Sequence, residues 1–273
     1  MACGLYTAMA FGLLTIWTFS GFPDPTRGLS SAVLLAGLFT FPIGTGLYYL
    51  CSAAFGDRAA IASQFSNVKP IFSIAVGYAV FYEALGTADY ISIAIIVIGV
   101  AVMLVPTIRG ANSVLPVLLG LTLAVSWSAG EAFVRLASGG TPTVEVTIGA
   151  LFSSVILFTP LLLVLLNGIR RNGVRPDFSA GLVRTLVPFA LHGVISFGGA
   201  YFFFFGSIAS IGLSRTVMIT VAWPALAMAI DVSVRLSRSQ PLELARPTVI
   251  GLSLLTCSAV VHAVLPAFLA SFN

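Results

Sequence analysis

Nine runs of roughly 18 or more predominantly apolar residues follow one another along the chain, at about 3–20, 30–54, 59–82, 89–106, 114–137, 145–167, 184–209, 213–234 and 247–269. Each is long enough to cross a hydrocarbon layer of about 30 Å as a helix. Inside such a layer every backbone polar group must find its partner within the protein, which leaves helices or a closed barrel. A barrel would be written in short alternating segments separated by turns, and these runs are long and continuous. The sequence therefore predicts an all-α, polytopic membrane protein with nine transmembrane helices. The longest polar stretch, Asn167–Arg184, is too short for a soluble domain. The net charge of +4 thus gives no reason to expect a nucleic-acid partner. Arginine makes up twelve of the thirteen basic residues, mostly in loops, where it anchors and orients helices. Cys3, Cys51 and Cys257 form no CxxC pair and read as small core residues, so no metal site and no cofactor is expected.

One pattern occurs twice. An apolar span containing a proline runs into a short polar link with a glutamate, and a second apolar span with small residues follows. The first copy holds Pro70, Glu83 and Gly99; the second holds Pro224, Glu243, Gly251 and Ser258. Setting Pro70 against Pro224 pairs span three with eight, four with nine, two with seven and one with six. Span five is left over. The chain then divides into a first repeat of four helices, 1–110, and a second of five, 111–273. An odd number of helices per complete unit inserts the two copies in opposite directions. Inverted repeats of this kind place a substrate site near the bilayer midplane.

The stretch Ser66–Leu104, with its early proline, its Glu83 and its Gly99, resembles the end of an EamA-type repeat of the drug/metabolite transporter superfamily. Ala222–Val261 is similar but looser, with Glu243 only roughly in register. Gly120–Leu136, with Trp127 and Arg135, resembles the start of such a repeat. The resemblance covers essentially the whole chain and implies a ten-helix carrier lacking its first helix. It also implies a multi-pass protein of the cell membrane, the inner membrane of a bacterium. Orientation receives two opposite answers. Arg58, Arg109, Arg170, Arg171, Arg175, Arg184, Arg235, Arg238 and Arg246 fall on one side, against Arg27, Arg135 and Arg215 on the other. The excess puts Met1 in the cytoplasm, whereas a ten-helix arrangement without its first helix starts outside.

Lys69, the only lysine, lies near the middle of its span, where a cation costs on the order of 2.5–3.5 kcal/mol. It therefore faces a cavity or a partner. Ser66, Lys69, Ser73 and Gly77 share a face at helical spacing. Pro70 removes a donor and leaves a carbonyl that a cavity can hydrate. Lys69 meets an anionic substrate group, or else is neutralised by Glu131 or Asp231. The equivalent stripe on span eight is Thr220, Trp223, Ala227 and Asp231, in which Trp223 forms an aromatic wall or simply packs. Asp231 also stands one turn from Arg235. Trp127, Glu131 and Arg135 follow at i+4 steps on span five. Glu131 is a proton carrier or an ion-pair partner of Arg135. His192 shares a face with Ser196, Gly199 and Phe203, and His262 with Ser258, Leu255 and Gly251; each is a proton relay or a satisfied core residue. Pro70 and Pro224 are the helix breaks.

These features predict a secondary transporter that moves a small organic metabolite by alternating access of two inverted repeats. The solute class is amino-acid-like, organic-acid or drug-like, anionic or zwitterionic, with protons as a coupling ion. The alternatives are a non-transporting membrane subunit, a lipid scramblase, or, less favoured, a membrane-embedded enzyme. An enzyme is not expected, because the sequence has no HExxH or GxSxG and only two histidines, far apart.

Overall fold

The computed structural model describes residues 2–55, 62–109, 114–171, 182–237 and 245–270. Among them there is no strand, as the apolar runs require. The order is α1 (Ala2–Phe19), α2 (Ser31–Leu38), a π-helical segment (Phe39–Thr45), α3 (Gly46–Phe55), α4 (Ala62–Ser66), α5 (Lys69–Phe81) and α6 (Thr87–Arg109). It continues with α7 (Val114–Ala137), α8 (Thr143–Arg171), α9 (Leu182–His192), a second π segment (Gly193–Ala200), α10 (Tyr201–Ile211), α11 (Leu213–Thr220), α12 (Trp223–Ser237) and α13 (Arg246–Ala270). Among the described residues, eight segments are long and apolar enough to cross a membrane. The ninth expected span, 59–82, is described from residue 62 and is carried by α4 and α5, broken at Asn67-Val68.

The chain forms two compact units, each drawn from two separate stretches of the sequence. The first comprises Met1–Tyr49 and Ala129–Ser210; the second comprises Leu50–Ser128 and Ile211–Asn273. Small residues let the helices of the first unit touch backbone to backbone, as they do in membrane bundles generally. A Cβ on Gly12 would stand 3.1 Å from the Gly193 carbonyl, and one on Gly193 would collide with the Ala8 carbonyl, so α1 lies directly on the second π segment. Gly37 approaches the Ala150 carbonyl of α8 in the same way. In the loop after α1, Asp24 accepts bonds from the Thr26 hydroxyl (2.7 Å) and N–H (2.9 Å). These bonds, the hydroxyl first, hold its carboxyl below the usual carboxylate range.

The second unit is built around α6 and α13, which run antiparallel. Ser258 Oγ donates to the Ser92 carbonyl (3.0 Å), and Ser92 Oγ donates to the Ser258 carbonyl (3.2 Å). Further along the same seam a Cβ on Gly251 would lie 2.7 Å from the Gly99 carbonyl and inside Met103. Gly251→Leu should therefore cost about 1–3 kcal/mol by overpacking, read as a lower Tm of the detergent-solubilised protein. An unchanged Tm would show that the seam can open without loss.

Candidate functional site

The two spans set against each other at Pro70 and Pro224 break at the same place. In the first copy the Asn67 N–H donates to the Gln64 carbonyl and the Val68 N–H to Phe65, each a three-residue step that tightens the end of α4. Pro70, at the second position of α5, has no N–H to offer the turn before it, and the chain restarts with Ile71 N–H to Val68 carbonyl at 3.0 Å. In the second copy Val221-Ala222 separates α11 from α12, Pro224 is again the second helical residue, and the Ala225 N–H donates to the Ala222 carbonyl at 3.1 Å. The breaks are displaced by 154 positions (69 to 223). The π segments are displaced by the same 154 (39 to 193). The spans paired by sequence thus share two backbone irregularities at matching positions.

Lys69 is the first residue of α5 and is half-buried. Its carbonyl lies 3.0 Å from Ser128 Oγ of α7, which is also 2.9 Å from the Ala124 carbonyl of its own helix. Ser73 Oγ donates to Ser128 Oγ at 3.0 Å. Ser73 and Ser128 are both buried, so a short chain of hydroxyls links the start of α5 to α7 away from bulk water. Ser128 is not among the residues the sequence singles out, although the small-polar run Ser126-Trp127-Ser128-Ala129-Gly130 is a signal that points to it. Ser66 sits half-buried at the last position of α4, on the other side of the break.

The remaining expected residues are distributed differently. Thr220 is half-buried and turns its hydroxyl back to the Thr216 carbonyl (2.9 Å). Trp223 is 66% exposed. Continuous α spacing does not carry across Val221-Ala222, which is why the two do not share a common buried face. Asp231 belongs to α12, but its side chain lies outside the described residues, as does Glu243. Trp127 is half-buried on α7 and falls, with Lys69, in the second unit. Glu131 and Arg135 extend the same helix into the first unit, where Glu131 is 2% exposed and Arg135 half-buried. His192 is exposed; its Nδ1 is 3.2 Å from Ser196 Oγ, and its ring meets Phe197 edge-on. Its expected face with Gly199 and Phe203 assumed α winding, which the π segment interrupts.

Two carboxylates act elsewhere in the second unit. Glu83 accepts from the Leu213 N–H (2.6 Å, Oε1) and the Ser214 N–H (2.7 Å, Oε2), so it caps the first turn of α11. Buried Asp89 accepts from the Gly86 N–H (2.8 Å) and approaches His262 Nδ1 to 2.8 Å. The imidazole approach is close but does not meet the geometry of a well-formed hydrogen bond. His262 is thus a buried partner of the α6 N-terminus. Among the described residues no group of three His, Cys, Asp or Glu side chains could hold a metal.

Length, apolarity and helical architecture make this a multi-pass α-helical membrane protein. Half of the chain, 139 residues, is 30% identical to a "Probable amino-acid metabolite efflux pump" of Salmonella typhimurium, and the match spans 46% of that protein's length. A solved crystal structure, of a protein given no functional description, resembles this one with a TM-score of 0.54 over 95% of this chain and 98% of the other. At 16% identity that likeness speaks for the fold alone. No family model matches the chain.

Proposed function

We propose that the protein is a secondary transporter of the EamA type that moves small amino-acid-like metabolites out of the cell. The reading is supported above all by one observation: two spans related by 154 positions are both interrupted immediately before a proline, and the only lysine of the chain stands at the first interruption. An interrupted helix is tolerated at membrane depth where other protein or a water-filled cavity takes up its polar groups. The antiparallel α6–α13 seam is what two inverted repeats, 1–110 and 111–273, would produce at their matching last helices. The printed name of the Salmonella protein favours efflux and amino-acid-like solutes.

In this reading Lys69 meets the carboxylate of the solute, with Ser66, Ser73 and Thr220 as polar lining and Trp127 and Trp223 as aromatic surface. Ser128 holds the start of α5 in place. Glu131, a buried carboxylate, is the proton-coupling group and Arg135 its counter-charge, with Asp231 and His192 as secondary polar groups. The test is transport by purified protein in proteoliposomes loaded with a labelled mixture of amino acids, with and without an inward proton gradient. Gradient-stimulated efflux of one solute class is the expected result. Efflux no faster than from protein-free vesicles, for amino acids, organic acids and drug-like amines alike, would remove the transporter reading.

A further inference from the structure

The two π-helical segments, Phe39–Thr45 and Gly193–Ala200, both lie in the first unit, at equivalent positions of spans two and seven. Such winding is rare and concentrates at functional sites. The first segment has a local cause: Pro42 has no N–H for the α-type bond to Leu38, and winding through i to i+5 brings the next donor into range. The second contains no proline. It is instead rich in glycine (Gly193, Gly198, Gly199), and the Tyr201 N–H closes it on the Ser196 carbonyl, five residues back. Pro42 thus cannot account for both segments, and what they share is their position in the repeat.

Their surroundings fit movement. The rings of Phe41 and Phe197, one from each segment, meet edge-on at 4.9 Å, and Phe41 also lies 5.1 Å from Tyr201 at the start of α10. The two segments are thus in direct contact through their rings. Toward α1 the second segment packs closely: a Cβ on Gly12 would stand 2.6 Å from Phe197 Cβ and 3.1 Å from the Gly193 carbonyl, and one on Gly198 would meet the Thr15 side chain at 2.9 Å. The glycines thus let the segment lie on α1 with only small groups between them.

Resting on the transporter reading, we propose that the two π segments are the paired joints of the transport cycle. Each stores one residue in excess of α winding. Passage between π and α winding turns the rest of span two or span seven by about 100°, the angle one residue subtends in an α-helix. Phe41 and Phe197 couple the two turns.

Deletion of Ala200, an exposed residue at the end of the second segment, tests this in the full-length protein. Removal of a surplus residue should leave a folded protein with a near-wild-type Tm and raise amide-exchange protection over 193–199. It should also abolish proteoliposome efflux of the labelled amino-acid mixture. Deletion of Leu151, buried in the regular winding of α8 well before Pro160, should instead abolish folding, because it turns Ser153, Ser154 and Phe158 out of their buried positions. Wild-type peptides over 39–45 and 193–200 should exchange at least about tenfold faster than those of α2 and α10, equivalent to about 1.4 kcal/mol less protection. Exchange equal to the flanking helices, full transport by the deletion variant, or its failure to fold would each overturn the proposal. A wild-type protein that moves no solute would sink the transporter reading instead, and the exchange and folding results would still judge the joints.

Discussion

Lys69→Ala should abolish transport while leaving expression, membrane insertion and Tm close to wild type. A lysine near mid-membrane opposes insertion by about 2.5–3.5 kcal/mol, so its removal relieves a cost. If Lys69 bears the solute's carboxylate, the loss appears in transport alone. If it is instead half of a structural ion pair, alanine leaves a buried charge without its mate, and stability falls by about 3–5 kcal/mol. A thermal melt beside an efflux assay separates the two. Lys69→Arg is informative as well: it keeps the charge but broadens it into a planar fork, so partial transport with altered solute preference is expected. Normal efflux by Lys69→Ala would remove this residue from the site.

The second large effect is structural. Glu83→Ala should destabilise the second unit by about 2–6 kcal/mol, because the Leu213 and Ser214 N–H groups then lose their acceptors at about 1–3 kcal/mol each. Glu83→Gln keeps one good acceptor and should fall in between. The position is tightly enclosed. Gly77 stands against Ser214 Oγ, and Gly212 has φ +91°, with Glu83 Oε1 only 2.7 Å from where a Cβ would be. Gly212→Ala would be strained in its backbone and obstruct the carboxylate together, so it should resemble Glu83→Ala in a denaturation scan. Were Glu83→Ala to melt with the wild type, water would have to reach the α11 terminus.

Much of this architecture is legible in the amino-acid sequence. Apolar length alone locates the spans to within a few residues, since the bilayer sets a minimum that irregular chain cannot meet. The breaks at Pro70 and Pro224 stand out because the two prolines recur at one place in a repeated pattern; a missing N–H alone does not mark a break, since Pro160 and Pro266 lie inside continuous helices. The π segments are not visible, because Pro42 lies inside an apolar run and the glycines of span seven read equally well as close helix packing. Extrapolation at α spacing finds Ser196 beside His192 but misses the edge-on ring of Phe197. Nor does the sequence carry any sign that Ser128 meets Lys69 and Ser73, or that Asp89 and His262 approach each other, since each contact joins segments far apart in the chain. Glu83 is readable as a link to a helix end, but not to which end.

The α6–α13 seam has a mechanical corollary. Its two serine bonds are reciprocal, each hydroxyl answering the other helix's carbonyl, and the glycine contact sits two turns further on. To slide one helix along the other by a single turn, about 5.4 Å, would break both bonds in the same instant and drive Met103 or Leu255 into a gap fitted only for hydrogen. The pair therefore behaves as a dowelled beam, stiff along its length. Motion within that unit is left to the shorter pieces on either side of the breaks, α4 against α5 and α11 against α12.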